Sequence, residues 1–145
     1  MPLLSLVLPE VGKPDRTEDP KVTTALVAIQ TVINAGIGAW TTITLGAKVE
    51  AGSLQLPAAR VEGNSAVARL RGRPQVKAGE ELKAGETLGT ISAGLRPPSI
   101  VEATGVVSSG ASLRVIIAAT GVITLGAAMA AEVHVTLDSL TYNLN

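Results

Sequence analysis

The residues able to do acid–base or metal chemistry are few in this chain. Its 145 residues include no cysteine and one histidine, His134. A cysteine–histidine metal cluster and a thiolate nucleophile are therefore excluded, and a catalytic triad would depend on His134 alone. Glu132 and Asp138 lie near it, but no serine stands in the Gly-x-Ser-x-Gly turn that exposes a nucleophile. We expect His134 to be a surface or interface residue, and we predict no cofactor and no metal site.

Acidic residues cluster in one glycine-rich segment of the chain. Pairs of carboxylates are the catalytic groups of glycoside hydrolases, so this cluster, together with Asp138, defines the least favoured functional alternative, a glycan hydrolase. Aromatic platforms for a sugar are nearly absent, because Trp40 and Tyr142 are the only aromatic residues. We expect the carboxylates to be solvated beside neighbouring lysines, and the chain not to be an enzyme. The cluster consists of Glu80, Glu81 and Glu86, with Lys77 and Lys83.

The balance of charge argues against nucleic acid as a partner. Twelve acidic and twelve basic residues give a net charge of zero, so no overall field attracts a polyanion. Four arginines, at positions 60, 69, 71 and 73, lie close together, but no aromatic residue is interleaved with them. We interpret these arginines as solvated faces of strands.

One uncharged run is long enough to be considered as a membrane segment. Residues 115–131 carry no charge and approach the shortest length that spans a bilayer. However, Gly121 and Gly126 interrupt the run, and β-branched residues flank the first of them. We therefore predict two buried strands joined by a turn, and no membrane insertion.

Residues 19–34 are predicted to form a helix with a marked beginning and end. Asp19 suits the N-cap, Pro20 suits the first helical position, and Asn34 precedes a glycine-containing stop. An apolar seam on this helix has the heptad pattern that favours three or four strands over two. We expect the seam to be covered by other copies of the helix; packing on its own domain is the alternative. The predicted oligomer interface consists of Val22, Leu26, Ile29 and Ile33.

The segment before the helix is predicted to be an extended docking arm. Pro2, Pro9 and Pro14 disfavour regular structure there. Its leucines would be unusual in water, so we expect them to pack onto a neighbouring subunit or onto a particle. These docking residues are Leu3, Leu4, Leu6 and Leu8. The predicted organisation is an arm at 1–18, an oligomerising helix at 19–35 and a β domain at 36–145.

The rest of the chain is predicted to be β structure. Short segments rich in β-formers are separated by turn residues at the spacing typical of a sandwich or barrel. Gly63 and Asn64 indicate a hairpin turn between two of them. The fold class is therefore mainly β, an antiparallel, jelly-roll-like β-sandwich behind one helix. The predicted strands lie at 40–45, 59–62, 66–72, 87–91, 100–107, 112–118, 122–125 and 132–137.

Five segments follow one another in an order typical of a known class of β domain. They are Trp-Thr-Thr-Ile-Thr-Leu at 40–45, Arg-Val-Glu-Gly-Asn at 60–64 leading into Val-Ala-Arg-Leu-Arg-Gly at 67–72, Gly-Glu-Thr-Leu-Gly-Thr-Ile-Ser-Ala-Gly-Leu-Arg-Pro at 85–97, Gly-Val-Ile-Thr-Leu at 121–125 and Val-Thr-Leu-Asp-Ser-Leu-Thr-Tyr at 135–142. Together they resemble the small β-sandwich domains that end many minor tail and fibre proteins of tailed bacteriophages. Ala59 and Leu95 stand where that family has aromatic rings, which weakens a sugar-binding role and leaves the scaffold intact.

The segment from Pro9 to Asn34 resembles the start of phage fibre and spike proteins, in which a short helix gathers three chains. The resemblance implies a homotrimeric structural protein of the virion, located in the tail. Its partners would be its own copies, other virion proteins and a host cell-surface polymer. A capsid decoration protein, or head spike, is the alternative within this class.

Overall fold

The computed structural model describes residues 38–53, 55–63 and 66–145. The predicted arm and helix lie outside these residues. The same holds for the predicted interface residues Val22, Leu26, Ile29 and Ile33, and for the predicted docking residues Leu3, Leu4, Leu6 and Leu8. The trimeric bundle and the domain boundaries therefore stay predictions.

The described chain consists of short strands and one turn of 3₁₀ helix, η1. In chain order these are β1 (Thr41–Thr42), β2 (Thr44–Leu45), β3 (Val49–Glu50), β4 (Ala58–Glu62), β5 (Val67–Arg71), β6 (Gln75–Val76), β7 (Thr87–Thr90), η1 (Ala93–Leu95), β8 (Val101–Val107), β9 (Ser112–Ile117), β10 (Val122–Leu125), β11 (Val135–Thr136) and β12 (Thr141–Asn143).

The strands form three sheets in which every pairing is antiparallel. A four-stranded sheet has the order β1-β4-β5-β12, a six-stranded sheet has the order β11-β8-β9-β10-β7-β2, and β3 pairs with β6. The result is a mainly β architecture with a curled half-barrel. The coarse prediction of a mainly β, antiparallel chain is confirmed.

The predicted strand at 40–45 is divided between two sheets. Its first half, β1, pairs with β4, whereas its second half, β2, pairs with β7. Ile43 lies at the crossing, with its side chain only 2% exposed in the core and its N–H donating to the carbonyl oxygen of Pro57 at 2.9 Å. The chain therefore changes sheets without leaving a backbone donor unpaired.

Both turns predicted from local sequence are confirmed. β4 and β5 form a hairpin with Glu62 opposite Val67, and Gly63 takes the positive φ of 63° that favours glycine. β9 and β10 are joined by a turn in which the Gly121 N–H donates to the carbonyl oxygen of Ala118 at 2.8 Å. Residues 38–53, 55–63 and 66–145 contain no helix with the length and apolar character of a membrane span.

One aliphatic core joins the three sheets. Leu70 and Tyr142 come from the four-stranded sheet, Val76 from the two-stranded sheet, and Ile117 and Ile123 from the six-stranded sheet. All of them are buried, and Tyr142 is the only aromatic residue in the cluster. The core is therefore built almost entirely from aliphatic side chains that all three sheets contribute.

Candidate functional site

The sole tryptophan of the chain lies among arginines on the surface of the four-stranded sheet. The guanidinium carbon of Arg60 is 4.4 Å from the centroid of the Trp40 ring, and that of Arg71 is 4.2 Å from it. Both distances are within the range of a cation–π interaction. We call this surface, made of Trp40, Arg60, Glu62, Arg69 and Arg71, the Trp40 patch.

Strand register places these side chains on one face. Arg60 is opposite Arg69, and Ala58 is opposite Arg71. Thr41 is opposite Ala59 in the pairing of β1 with β4, so the residue before Thr41 comes beside Arg60. Ala59 faces the core, and side chains alternate along a strand, so the adjacent Ala58 and Arg60 lie on the outer face.

Trp40 and Arg71 lie against the sheet rather than extending fully into solvent. Ala58 is only 2% exposed, although it is outside the core cluster. Larger side chains of the outer face must therefore cover it, and its small size leaves them room. The half-buried state of Trp40 and Arg71 agrees with this arrangement.

The patch carries more positive than negative charge. Arg60 donates to Glu62 from Nη2 at 2.7 Å and from Nε at 3.0 Å, and Nη1 of Arg69 lies 3.8 Å from the same carboxylate. Three guanidiniums and one carboxylate leave a net charge of +2. Like charges directly opposite on paired strands are destabilising, so the pair Arg60 and Arg69 has an electrostatic cost that Glu62 reduces.

Arg71 is the least neutralised member of the patch. Its Nε is buried and has no hydrogen-bond partner among the described residues. The described part of the chain also gives Arg71 no ion pair, whereas Arg60 and Arg69 share Glu62. A buried donor without a partner is unfavourable by about 1–3 kcal/mol.

The glycine-rich carboxylate cluster forms a second polar region, and its charges are internally paired. Nζ of Lys48 donates to Glu86 at 2.9 Å and to the carbonyl oxygen of Glu81 at 3.1 Å. The N–H of Lys83 and then the Lys48 ammonium lower the pKa of the Glu86 carboxyl, and the hydrogen bond that Lys48 donates to Glu86 raises the pKa of Lys48. An open cleft of about 340 Å³ lies between Lys48, Glu86 and Leu82.

Two copies of Lys-Ala-Gly-Glu build this region. In each, the N–H of the glutamate donates to the lysine carbonyl oxygen at 3.1 Å, at Glu80 and at Glu86. Gly79 and Gly85 have φ values of 79° and 82°. Positive φ at the third position is typical of a type II turn. Glu86 thus stabilises a turn, and the exposed Glu80 and Glu81 belong to the same loop.

Asp138 has a structural contact away from this loop. Its Oδ1 accepts a hydrogen bond from the N–H of Gly72 at 2.8 Å, and its Oδ2 lies 3.9 Å from Nε of Arg73. Glu86 is paired with Lys48 instead, so the described contacts do not join Asp138 to the glycine-rich carboxylates. His134 is half-buried at an isolated bridge to Gln75, and among the described residues no cluster of three or more potential metal ligands occurs.

The Trp40 patch was missed by reasoning from sequence because its parts are distant along the chain. The arginines are interpreted above as solvated faces without an interleaved aromatic residue. Three strands, β1 to β3, separate Trp40 from β4 and Arg60 in the sequence, and pairing of β1 with β4 brings the two residues together. The usable signal was the alternation of Trp40 with Thr42 and of Arg69 with Arg71, which puts each pair on one strand face.

Comparison with known proteins gives a likeness in structure and none in sequence family. No family model matches the chain, and no curated protein matches it. The fold is similar to that of the crystal structure of the receptor binding protein (gp15) of Listeria phage PSA, with a TM-score of 0.64 and 17% sequence identity. The match covers 84% of this chain and 74% of that chain. At this level of identity the likeness establishes a shared fold.

Proposed function

We propose that this protein is a virion structural protein of a tailed phage, a minor tail or fibre protein whose β domain faces the host. The observation that carries the proposal is the fold likeness to a phage receptor binding protein, which extends over 84% of the chain. The order of the sequence segments between residues 40 and 142 supports the same class independently, because it does not depend on the coordinates.

The tail is favoured over the capsid surface. A receptor binding protein acts where a phage meets its host, and a decoration protein has no such requirement. The surface of the four-stranded sheet, with its half-buried tryptophan and net positive charge, gives the domain a feature suited to contact. A capsid decoration role is the alternative.

Homotrimerisation completes the proposed arrangement. The helix at 19–35 would gather three chains through Val22, Leu26, Ile29 and Ile33. The arm at 1–18 would dock on other virion proteins through Leu3, Leu4, Leu6 and Leu8. Burial of the four seam residues would stabilise the trimer by roughly 1.5–3 kcal/mol per side chain.

The location on a particle tests the proposal directly. A gold-labelled antibody against the β domain should mark the tail tip or fibres of particles in electron micrographs. Label confined to the capsid surface would support the decoration alternative. Purified particles that contain none of the protein would reject a virion role altogether. Preimmune antibody on the same particles provides the control for background label.

A further inference from the structure

We infer that the Trp40 patch is a binding site for an anionic polymer that carries phosphate or carboxylate groups. The inference deepens the proposed function and rests on it, because it assigns the host-facing contact to one surface. Its basis is the geometry of five side chains on the outer face of β4 and β5 and the segment leading into β1.

The first argument is the chemistry of the guanidinium groups. Arginine presents a planar fork of donors that matches carboxylate and phosphate oxygens. Two such groups lie within 4.4 Å of one ring centroid, so the ring restricts where both can go. An anion approaching Trp40 meets donors that are already positioned, which reduces the ordering cost of binding.

The second argument is how completely the charge of each arginine is already neutralised. Glu62 neutralises Arg60 closely and Arg69 at the longer distance of 3.8 Å. Arg71 has a buried Nε without a partner in the described part of the chain. The side chain of Arg69 is 46% exposed, so an incoming acceptor can reach the patch from solvent beside it.

The third argument is the contrast with the other charged surfaces. Beside the glycine-rich carboxylate cluster, the Lys48 ammonium is already paired with Glu86 and with the carbonyl oxygen of Glu81. On the six-stranded sheet Arg114 is paired with Glu102. Among the described clusters, the Trp40 patch therefore combines an excess of positive charge with guanidiniums held against an aromatic ring, and such fixed donors suit an anionic polymer.

Intrinsic fluorescence gives a direct readout, because Trp40 is the only tryptophan. The full chain is titrated with poly(glycerol phosphate), with polygalacturonate and with neutral dextran of similar length, at low and high salt. We expect at least one anionic polymer to change the emission in a saturable way and dextran to leave it unchanged. High salt should weaken the binding, since exposed charge pairs are screened. Comparison of the two anionic polymers distinguishes phosphate from carboxylate as the recognised group.

Substitutions locate the binding on the patch. Arg71→Gln and Arg60→Gln should each weaken binding by about tenfold or more, the usual effect of losing a hydrogen bond between charged partners. Arg71→Lys keeps the charge but loses the fork, so it should give an intermediate affinity. The matched control is Arg114→Gln, an exposed arginine on the other sheet, which should bind within about twofold of the parent.

Folding of each variant is checked by thermal unfolding. If Arg71→Gln fails to fold, the exposed Arg69→Gln takes its place, with an expected loss of several-fold. Absence of binding to both anionic polymers, or equal binding by the patch variants and the parent, would overturn the inference. A purely structural role for the arginine–tryptophan contacts would change the unfolding temperature and leave binding untouched.

The outcome is separable from that of the proposed function. If the antibody marks the tail while the patch variants bind as the parent does, only this site assignment fails. If the patch binds anionic polymers while particles lack the protein, the virion role fails and the binding site stands.

Discussion

Tyr142 links the last strand to the 3₁₀ turn and makes the fold sensitive to alkaline pH. Its hydroxyl donates to the carbonyl oxygen of Leu95 at 2.6 Å, and its side chain is 6% exposed. Burial raises the pKa of Tyr142 to about 12, whereas an unfolded tyrosine titrates near about 10. The stabilisation is therefore complete below about pH 10 and is lost as the pH rises through about 12.

We expect the free energy of unfolding to fall by roughly 2 kcal/mol across that window from this residue alone. Urea unfolding at a series of alkaline pH values measures it. Tyr142→Phe is the control: the variant should be less stable at neutral pH, because Leu95 loses its donor, but it should show a shallower alkaline decline. Titration of Lys48 affects both proteins equally. Identical slopes for the two proteins would contradict the assignment.

At the same scale, chemistry inferred from residue type alone was only partly informative. The sequence predicts that the glutamates of the glycine-rich segment are solvated beside lysines, and the structure places Glu86 in a type II turn beside Lys48. The arginines were interpreted separately from Trp40, because sequence separation hides which strands pair. The charge of a residue follows from its type, whereas its partners follow from register.

Glycines at strand junctions determine how closely neighbouring strands can lie. At Gly46, just after β2, an added Cβ would lie inside van der Waals contact with the carbonyl oxygen of Thr87. The Gly46 N–H also donates to the carbonyl oxygen of Leu88 at 3.0 Å. The backbone of β7 cannot give way without breaking this bond, so the position requires glycine.

Gly46→Ala should therefore destabilise the protein by about 1–3 kcal/mol or more, as overpacking does. Gly94→Ala is the matched control, because the same added atom at Gly94 meets nothing within 4 Å and should leave stability within about 0.5 kcal/mol. Chemical denaturation of both variants measures the difference. Equal stabilities would mean that β2 shifts away from β7 without cost.

The five-residue echo between Ile43–Ala47 and Ile123–Ala127, Ile-Thr-Leu-Gly-Ala in both, also belongs to the element scale. The strand β2 pairs with one edge of β7, and β10 pairs with the other. Both segments thus meet the same partner strand, with Leu45 and Ile123 each opposite Gly89. Equivalent positions of the two segments nevertheless face different residues of β7, so the likeness is not a repeated packing unit.

Elements specified by local chemistry were predictable, and those specified by distant pairing were not. The hairpin at Gly63 and the turn at Gly121 require positive φ angles, and glycine is the residue type that adopts them most readily. The strands β3 and β6 have only two residues each, too few for a periodic pattern. The change of sheets at Ile43 depends on the pairing of β1 with β4 and of β2 with β7. These partner strands are distant along the chain, so adjacent residues do not reveal them.

At the scale of the whole molecule, the proposed trimer gives a measurable mass. The full chain should sediment as a trimer at micromolar concentration. Leu26→Asp with Ile29→Asp should convert it to a monomer, because two buried charges per chain would disrupt the seam. Gln30→Asp, on the same predicted helix but outside the seam, is the control and should stay trimeric. A parent chain that sediments as a stable monomer would refute the trimer.

If the proposed N-terminal arm holds the protein on a particle, the passage of the chain through Ile43 has a mechanical consequence. The strands β1 and β2 are edge strands of two different sheets, and they are the first strands of the described chain. Tension applied through residue 38 would reach the four-stranded sheet first and, after one further residue, the six-stranded sheet. A force on the N-terminal segment would thus be shared by the four-stranded and six-stranded sheets. The buried side chain of Ile43, which lies between β1 and β2, would resist being pulled out of the core.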